Sequence, residues 1–590
     1  MSETRLCQSC KADFVIEDED FGFYDKIKVP PPTWCPKCRN IRRWSYREEN
    51  NLHKNTCALC GKSILATVRE EKPFTVYCRE CWRSDKWDPM EYGRDYDFSR
   101  PFFLQYRELF ESVPRVALTG RGSINSEYIH ASDYCKNCYN IFWSFYSENS
   151  QNSFALLSSK YAYDCYTADN SDHVYEVLHS NRMYKSSFAY FSDECMDSSF
   201  VYNCVGCSDC FGCVNLRKQK YRIFNEQLSK EDYEKKIKYW DLGSYARLQE
   251  ATQKFKEIYL ATPRRFAHVL NCKDVVGDIL RDTKNCKNCF TSLDGVENCK
   301  YLYFGGLNLK DSYDVSGGGL NAELQYETMA CTHASRAFFS CGADDSKDIS
   351  YTDWASNSSN LFGCMALKNK RYCILNKQYT KEEYERMVPK IIEHMNSMPY
   401  IDKNGRVYKY GEFFPPEFSA FAYNESFAYF WYPKTKEEIL KEGLVWRDQT
   451  TRDYKITLSP ESLPDHIKDV EESILGEIIG CKNRDKLYRK CSTAFRITSE
   501  ELAFYKGMNI SLPRTCVNCR YTERLNWRNR FQTWPRICSC AGAASDNGAY
   551  ENNIAHGHSA AHCSEEFETT YAPDRPEIIY CDKCYKSEFL

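Results

Sequence analysis

The chain contains no run approaching the ~18 apolar residues that a membrane span requires. Its first residues, Met1 to Cys10, lack a basic n-region and an apolar h-region, so no secretory leader is expected. A phosphate loop, a nucleophile elbow and a paired-acid signature are also missing, which leaves an enzyme little to work with. Charge of one sign is scarce. The 79 Lys and Arg nearly balance the 82 Asp and Glu, for a net −3. Such a body is a poor general binder of polyanions, so a nucleic-acid contact would need a local basic patch.

Cysteine and aromatic residues are abundant. At 590 residues the chain exceeds the size at which one core stops growing, so several domains are expected. Its 42% apolar content is that of folded protein. The 44 Tyr and 34 Phe favour pleated, stacked surfaces. The 33 Cys could serve disulfides or metal. Without a leader, the expected location is the cytoplasm, which keeps thiols reduced, and many of the cysteines fall in C-x-x-C pairs, the spacing of a zinc knuckle.

The first 81 residues hold four such pairs. Structural zinc takes four soft ligands in a tetrahedron, and C-x-x-C puts two thiolates on one tight turn. Joining neighbouring pairs gives one site from Cys7, Cys10, Cys35 and Cys38, and a second from Cys57, Cys60, Cys78 and Cys81. The C-terminus repeats the pattern. A shift of 481 aligns Cys10 with Cys491, Phe23-Tyr24 with Phe504-Tyr505, Cys35 and Cys38 with Cys516 and Cys519, Arg39, Arg43 and Arg47 with Arg520, Arg524 and Arg528, and Cys57 with Cys538. A shift of 503 then aligns Cys60, Cys78 and Cys81 with Cys563, Cys581 and Cys584, after a 22-residue insertion near 539–560. Cys7 meets Tyr488, so the third site needs a substitute, and Cys481 stands seven residues earlier. The insertion carries Cys540, His556 and His558, with His562 just after it, so Cys540 or a histidine can enter the fourth site. About four Zn²⁺ are expected. Each all-thiolate site adds −2, which brings the chain to about −11.

The middle is a different duplication. FGCVNLRKQKYRIFNEQLSKEDYE begins at Phe211 and FGCMALKNKRYCILNKQYTKEEYE at Phe362, an offset of 151. In the stretches before them a polar residue, then Cys or Ser, then an aromatic recurs. Examples are Asn137-Cys138-Tyr139, Asn152-Ser153-Phe154, Asp164-Cys165-Tyr166, Ser198-Ser199-Phe200, Asp209-Cys210-Phe211 and Asn288-Cys289-Phe290, often near twelve residues apart. This spacing suits the stacked coils of a β-solenoid. The duplication sets Cys195, Cys204, Cys207 and Cys210 against Ser346, Ala355, Ser358 and Leu361. Ala and Leu cannot ligate metal, so these cysteines read as packing, as do Cys135, Cys138, Cys286 and Cys289. Ser229 and Thr380 open N-cap sequences with an acid at the third helical position, and the helices they start would cap each coil stack. Further short helices are expected at Thr435–Glu442 and Asp465–Ile479.

The expected fold is mostly β with short helices, in which treble-clef zinc modules at both ends flank two cysteine- and aromatic-rich solenoid-like domains. The expected divisions are paired zinc modules in 1–90, a first repeat with its capping helix in 91–240, and a helical linker in 241–265. A second repeat with its capping helix follows in 266–398, then a connector in 399–480 and paired zinc modules in 481–590.

The stretch CQSCKADFVIEDEDFGFYDKIKVPPPTWCPKCR resembles the treble-clef zinc-ribbon domains that recur in bacterial genomes. With KWDPMEYGRDYDFSRPFF, FGCVNLRKQKYRIFNEQ, FAYNESFAYFWYPKTKEE and YAPDRPEIIYCDKCY, nearly the whole chain is similar to large cysteine-rich zinc-ribbon proteins of candidate-phyla bacteria. The resemblance implies zinc at Cys7, Cys10, Cys35, Cys38 and their later counterparts, and no settled function. In a treble clef the second knuckle starts a helix. Here those helices carry Arg39, Arg42, Arg43 and Arg47, and Arg520, Arg524 and Arg528 with Arg530 following, many four apart and so on one face. With Trp44, Tyr46 and Trp527 among them, they suggest a surface for nucleic acid, with RNA favoured. Competing readings pair these arginines with the thiolate clusters or with nearby acids such as Glu48 and Glu49, make the chain a pure protein–protein adaptor with the solenoids as flat contact faces, or make the C-terminal Cys/His site a zinc hydrolase. No small-molecule cofactor is apparent.

Overall fold

A computed structural model describes residues 2–48, 51–292, 294–448, 454–484, 491–542, 544–545, 550–558 and 561–590. Tyr488 and Glu49 lie outside the described residues. The structure is mostly strands joined by short helices, and no helix among the described residues is long and apolar enough to cross a membrane. The chain divides into two compact units, each built from separated stretches. One comprises Met1–Leu118, Ala267–Asp448 and Phe531–Thr533, and the other Thr119–Phe266, Gln449–Arg530 and Trp534–Leu590. Each unit therefore joins one terminal cysteine region to one half of the central duplication.

A parallel sheet forms the centre of each unit, with ten strands in one and eleven in the other. In the Thr119–Phe266 stretch, paired residues lie twelve apart, as in Tyr166 with Leu178, Ser187 with Ser199 and Ser208 with Lys220. From Asn125 to Phe224 every third residue has a positive φ, with Gly206 and Gly212 taking two of these places. Asn and Asp fill many others (Asn137, Asn152, Asp164, Asp209), because their short polar side chains tolerate the left-handed region. The next residue turns inward, and the aromatic after it faces the neighbouring strand's aromatic. Phe154 and Tyr166 stack in this way at 5.2 Å. This explains the polar–Cys/Ser–aromatic unit. Ser198-Ser199-Phe200 is out of phase, with Ser198 inward and Phe200 itself left-handed.

Ser and Cys alternate in the interior columns because both meet the same need. Ser153 Oγ accepts the Cys165 N–H at 3.0 Å and donates to the Gln151 carbonyl at 2.8 Å. Cys165 Sγ donates to the Tyr163 carbonyl at 3.3 Å. Either side chain satisfies backbone at a tight corner inside the core. Cys135, Cys204 and Cys289 likewise donate to the Ser144, Cys213 and Cys299 carbonyls at 3.4, 3.5 and 3.6 Å. Ser346, Ala355, Ser358 and Leu361 are buried in the second sheet. That sheet opens with offsets of eleven and twelve, Lys273 to Lys284 and Gly277 to Cys289, runs at thirteen from Lys300 to Tyr313 to Tyr326, and changes to twelve from Glu323–Ser335 onward. The 151-residue offset read from the sequence holds on this later side.

Both sheets end alike. The final strand turns back in an antiparallel pair, Arg222 with Gln227 and Cys373 with Gln378. A helix follows: Lys230–Lys236 after the N-cap Ser229, and Lys381–Ser397 after the Thr380 capping box. The expected helix near Thr435 is Lys436–Lys441. The expected helix over Asp465–Ile479 is instead two 3-10 turns, Ile467–Asp469 and Glu472–Gly476, followed by the strand Ile479–Gly480. Ile467, Val470 and Ile474 enter one core at spacings of three and four, which imitate a helix in the sequence.

Candidate metal centres

Each quartet is built in two halves. The first pair sits at the end of a hairpin. Glu3–Leu6 pairs with Asp13–Ile16, and the turn closes with the Cys7 N–H on the Ala12 carbonyl at 2.9 Å and the Lys11 N–H on the Cys7 carbonyl at 3.1 Å. In the second quartet Gly61 takes the left-handed position that closes the equivalent turn, with the Cys57 N–H on the Lys62 carbonyl at 2.9 Å. The second pair opens a helix. Cys35, Cys78, Cys516 and Cys581 are the N-cap residues of Pro36–Trp44, Arg79–Arg83, Val517–Leu525 and Asp582–Phe589.

The structure brings together Cys7, Cys10, Cys35 and Cys38; Cys57, Cys60, Cys78 and Cys81; Cys481, Cys491, Cys516 and Cys519; and Cys538, Cys563, Cys581 and Cys584. Cys481 takes the place of Cys7. The first sulfur of every quartet accepts the N–H of the helix-opening cysteine: Cys7 from Cys35 at 3.2 Å, Cys57 from Cys78 at 3.3 Å, Cys481 from Cys516 at 3.2 Å and Cys538 from Cys581 at 3.1 Å.

The spacing of the sulfurs is that of a metal tetrahedron. Metal–sulfur bonds of ~2.3 Å imply sulfur–sulfur edges of roughly 3.8 Å, whereas a disulfide would bring the sulfurs to about 2.05 Å. Cys10–Cys35 and Cys481–Cys519 are 3.8 Å apart, and Cys60–Cys78 and Cys491–Cys516 are 3.9 Å apart. All cysteines are unbonded thiols. Each quartet also favours a thiolate. Hydrogen bonds from Cys35 and Cys38 pull the Cys7 thiol far below its ordinary range. Burial opposes ionisation of Cys57, yet the N–H groups of Cys78 and Cys60 bring it down to about 6. Cys581 is brought to about 5, chiefly by Cys538. Four such sulfurs suit zinc, which would hold hairpin and helix together.

Within the insertion, Cys540, His556 and His558 gather against Cys584 in a further group. The Nδ1 of His562 lies 2.9 Å from the Cys563 carbonyl.

The arginines require a correction. Arg39, Arg42, Arg43, Arg520, Arg524 and Arg528 are buried and face the parallel sheets, not solvent. Arg39 meets Asp314 at 2.7 Å, Arg42 meets Glu327 and Glu412 at 2.8 Å each, and Arg43 meets Glu327 at 2.7 Å and Asp314 at 3.1 Å. Arg520 meets Asp164 at 3.0 Å, Arg524 meets Glu176 at 2.5 Å, and Arg528 donates to the Tyr166 hydroxyl at 3.0 Å. A guanidinium enclosed among carboxylates cannot reach a phosphate, so this face is not a nucleic-acid surface. Arg47 is half-buried, and Arg530 is exposed. Trp44 packs against Phe427 at 5.0 Å and Trp527 on Tyr190 at 4.5 Å.

Sequence reasoning missed the acids. Asp164, just after the strand Lys160–Tyr163, and Glu176, on the strand beside it, are twelve residues apart, Asp314 and Glu327 on adjacent strands are thirteen apart, and all four occupy left-handed positions. An acid recurring at the sheet's own period was the available signal. No protein-family model matches the sequence, and no curated protein matches it.

Proposed function

We propose that the chain is a zinc-stapled, non-enzymatic scaffold that docks a protein partner on the outer face of its first parallel sheet, which we take as a β-solenoid. The twelve-residue offset and the left-handed residue at every third position support the solenoid reading. Four closed thiolate quartets leave no open coordination position, the mark of structural zinc. The observation that carries the docking role is a row of exposed apolar side chains: Tyr134, Phe145, Tyr146, Leu157 and Tyr161. Tyr134 and Tyr146 stack at 5.3 Å across one repeat. Exposed apolar side chains gathered within a few repeats support a contact site. Its neighbouring cations already have acids, Arg121 with Asp133 at 3.3 Å and Lys160 with Glu148 at 3.7 Å, which favours protein over polyanion.

Proteins retained by the full chain should be identified by mass spectrometry, with and without nuclease. A partner that survives nuclease and is lost in the double variant Tyr134→Ser/Tyr146→Ser supports the reading. Retention of RNA with a steep salt dependence, or a partner indifferent to the double variant, overturns it.

A further inference from the structure

We infer that the C-terminal module holds two metal ions, with the Cys584 sulfur shared between them. The inference rests on the metal-holding reading of the four quartets and adds a fifth ion to it. Cys584 belongs both to the quartet with Cys538, Cys563 and Cys581 and to the group with Cys540, His556 and His558. In that second group His556 Nδ1 is 3.2 Å from Cys540 Sγ, and His558 Nε2 is 3.5 Å from Cys540 Sγ and 3.3 Å from Cys584 Sγ. Metal bonds of ~2.0 Å to nitrogen and ~2.3 Å to sulfur imply nitrogen–sulfur edges of roughly 3.5 Å, so the donors already stand near a tetrahedron.

The surroundings are those of a ligand set. His556 turns its other nitrogen, Nε2, to Glu588 Oε2 at 3.2 Å, and both side chains are almost fully enclosed. Glu588 is held in turn by the Asn553 N–H at 2.7 Å and by the Tyr550 hydroxyl. A carboxylate on the far nitrogen fixes the tautomer and aims Nδ1 at a metal. Asn552 Nδ2 lies 3.2 Å from Cys540 Sγ, as a donor to a thiolate would. Charge argues the same way. Five thiolates at one buried place against a single divalent ion leave −3, and a second ion reduces this to −1.

The test uses the full chain, purified from zinc-supplemented cells without chelator. Elemental analysis should give five zinc per chain, falling to four in His556→Ala/His558→Ala. In protein exchanged with cadmium-113, two resonances should be coupled through the shared sulfur, and the double variant should lose one of them while the signals of the other quartets persist. Four zinc in the wild type, unchanged in the variant, overturns the inference. Five zinc without cadmium–cadmium coupling overturns the sharing. No bound metal overturns the four-quartet reading itself, a result distinct from either. Where the double variant fails to fold, the wild-type stoichiometry and coupling decide.

Discussion

The two terminal regions whose knuckle-started helices dock on the parallel sheets are the same construction with different charge. Phe23, on the helix Asp18–Ile27, stacks on Tyr313 at 3.9 Å, and Phe504, on the helix Ser499–Met508, stacks on Tyr163 at 3.9 Å. Tyr24 meets Tyr326 and Tyr505 meets Tyr175, both at 5.5 Å. Arg39 and Arg43 reach Asp314 and Glu327 as Arg520 and Arg524 reach Asp164 and Glu176. Two cations are lost between the copies. Lys300, which meets Asp20 at 2.8 Å, becomes Gln151, which accepts from the Thr498 hydroxyl at 3.1 Å, while Glu501, the counterpart of Asp20, accepts from Asn152 at 2.9 Å. Arg42 becomes Glu523. The N-terminal interface is charge-balanced, while the C-terminal one has excess carboxylate. Burial, only partly offset by Arg520, accordingly raises Glu501 to about 7. Glu327 moves the other way: burial would raise it, and Arg42, Arg43 and Arg39 outweigh that and hold it below the usual range. Aromatic stacking thus fixes the docked geometry, and the charges around it can drift.

Metal removal should be the strongest perturbation. A structural zinc contributes about 10–16 kcal/mol of apparent binding energy in small peptides, so a strong chelator should release the hairpins and helices of all four quartets. Hydrogen exchange should show Pro36–Trp44 and Val517–Leu525 losing protection together, with the interior columns of both sheets retaining it. Survival of one helix would break the equivalence of the two dockings. Next in size is a pair of isosteric substitutions. Glu327→Gln leaves Arg42 and Arg43 short of a shared carboxylate and should cost about 3–5 kcal/mol, as removing one partner of a buried ion pair does. Glu176→Gln relieves the carboxylate excess while Asp164 remains near Arg524, and should cost only about 1–2 kcal/mol. Equal losses, read from exchange in the two helices, would remove charge balance as the distinction.

The quartets were legible because ligand spacing is local. C-x-x-C at Cys35 and Cys38 fixes a turn and a helix start whatever surrounds it. The 481-residue duplication aligned Phe23 with Phe504 and Arg39 with Arg520, and those pairs occupy matching places. The helix caps at Ser229 and Thr380 were likewise contained within four residues. Helical periodicity put the arginines on one face, but only the fold reveals what that face meets. Asp314 lies 275 residues from Arg39, and Asp164 lies 356 residues before Arg520. Nothing local distinguishes a face turned to solvent from one turned to a distant carboxylate. The same limit left open whether Cys540, His556 and His558 complete the fourth quartet or stand beside it.

The excess carboxylate should appear as a pH dependence confined to one unit. Glu501 titrates near 4.5 when unfolded and at about 7 when folded. The folded state therefore holds a proton that the unfolded state has lost. Its stabilising effect is complete below the unfolded value and disappears as pH rises through the folded one. Between about pH 5.5 and pH 8 the C-terminal docking should lose about 2 kcal/mol in the wild type, a loss absent from Glu501→Gln. Glu327, held low, should keep its contribution across that range and lose it only in acid. Exchange rates in Val517–Leu525 and Pro36–Trp44 across the range measure both.

The smallest effect should also be the most symmetric. Tyr313 stacks on Phe23 at 15° and Tyr163 on Phe504 at 13°, one residue before the acids Asp314 and Asp164. A stacked aromatic pair contributes about 0.5–1.5 kcal/mol beyond the area it buries. Tyr313→Leu and Tyr163→Leu keep most of that area and remove the ring, so each should weaken the docking of the helix it stacks on, Asp18–Ile27 or Ser499–Met508, by about that amount. Because the geometry is shared and the charge is not, the two losses should agree with each other even where those of Glu327→Gln and Glu176→Gln do not. A stacking loss much larger on the N-terminal side would mean that the ring orders the arginine network beside it, and that charge and stacking in this docking are one interaction.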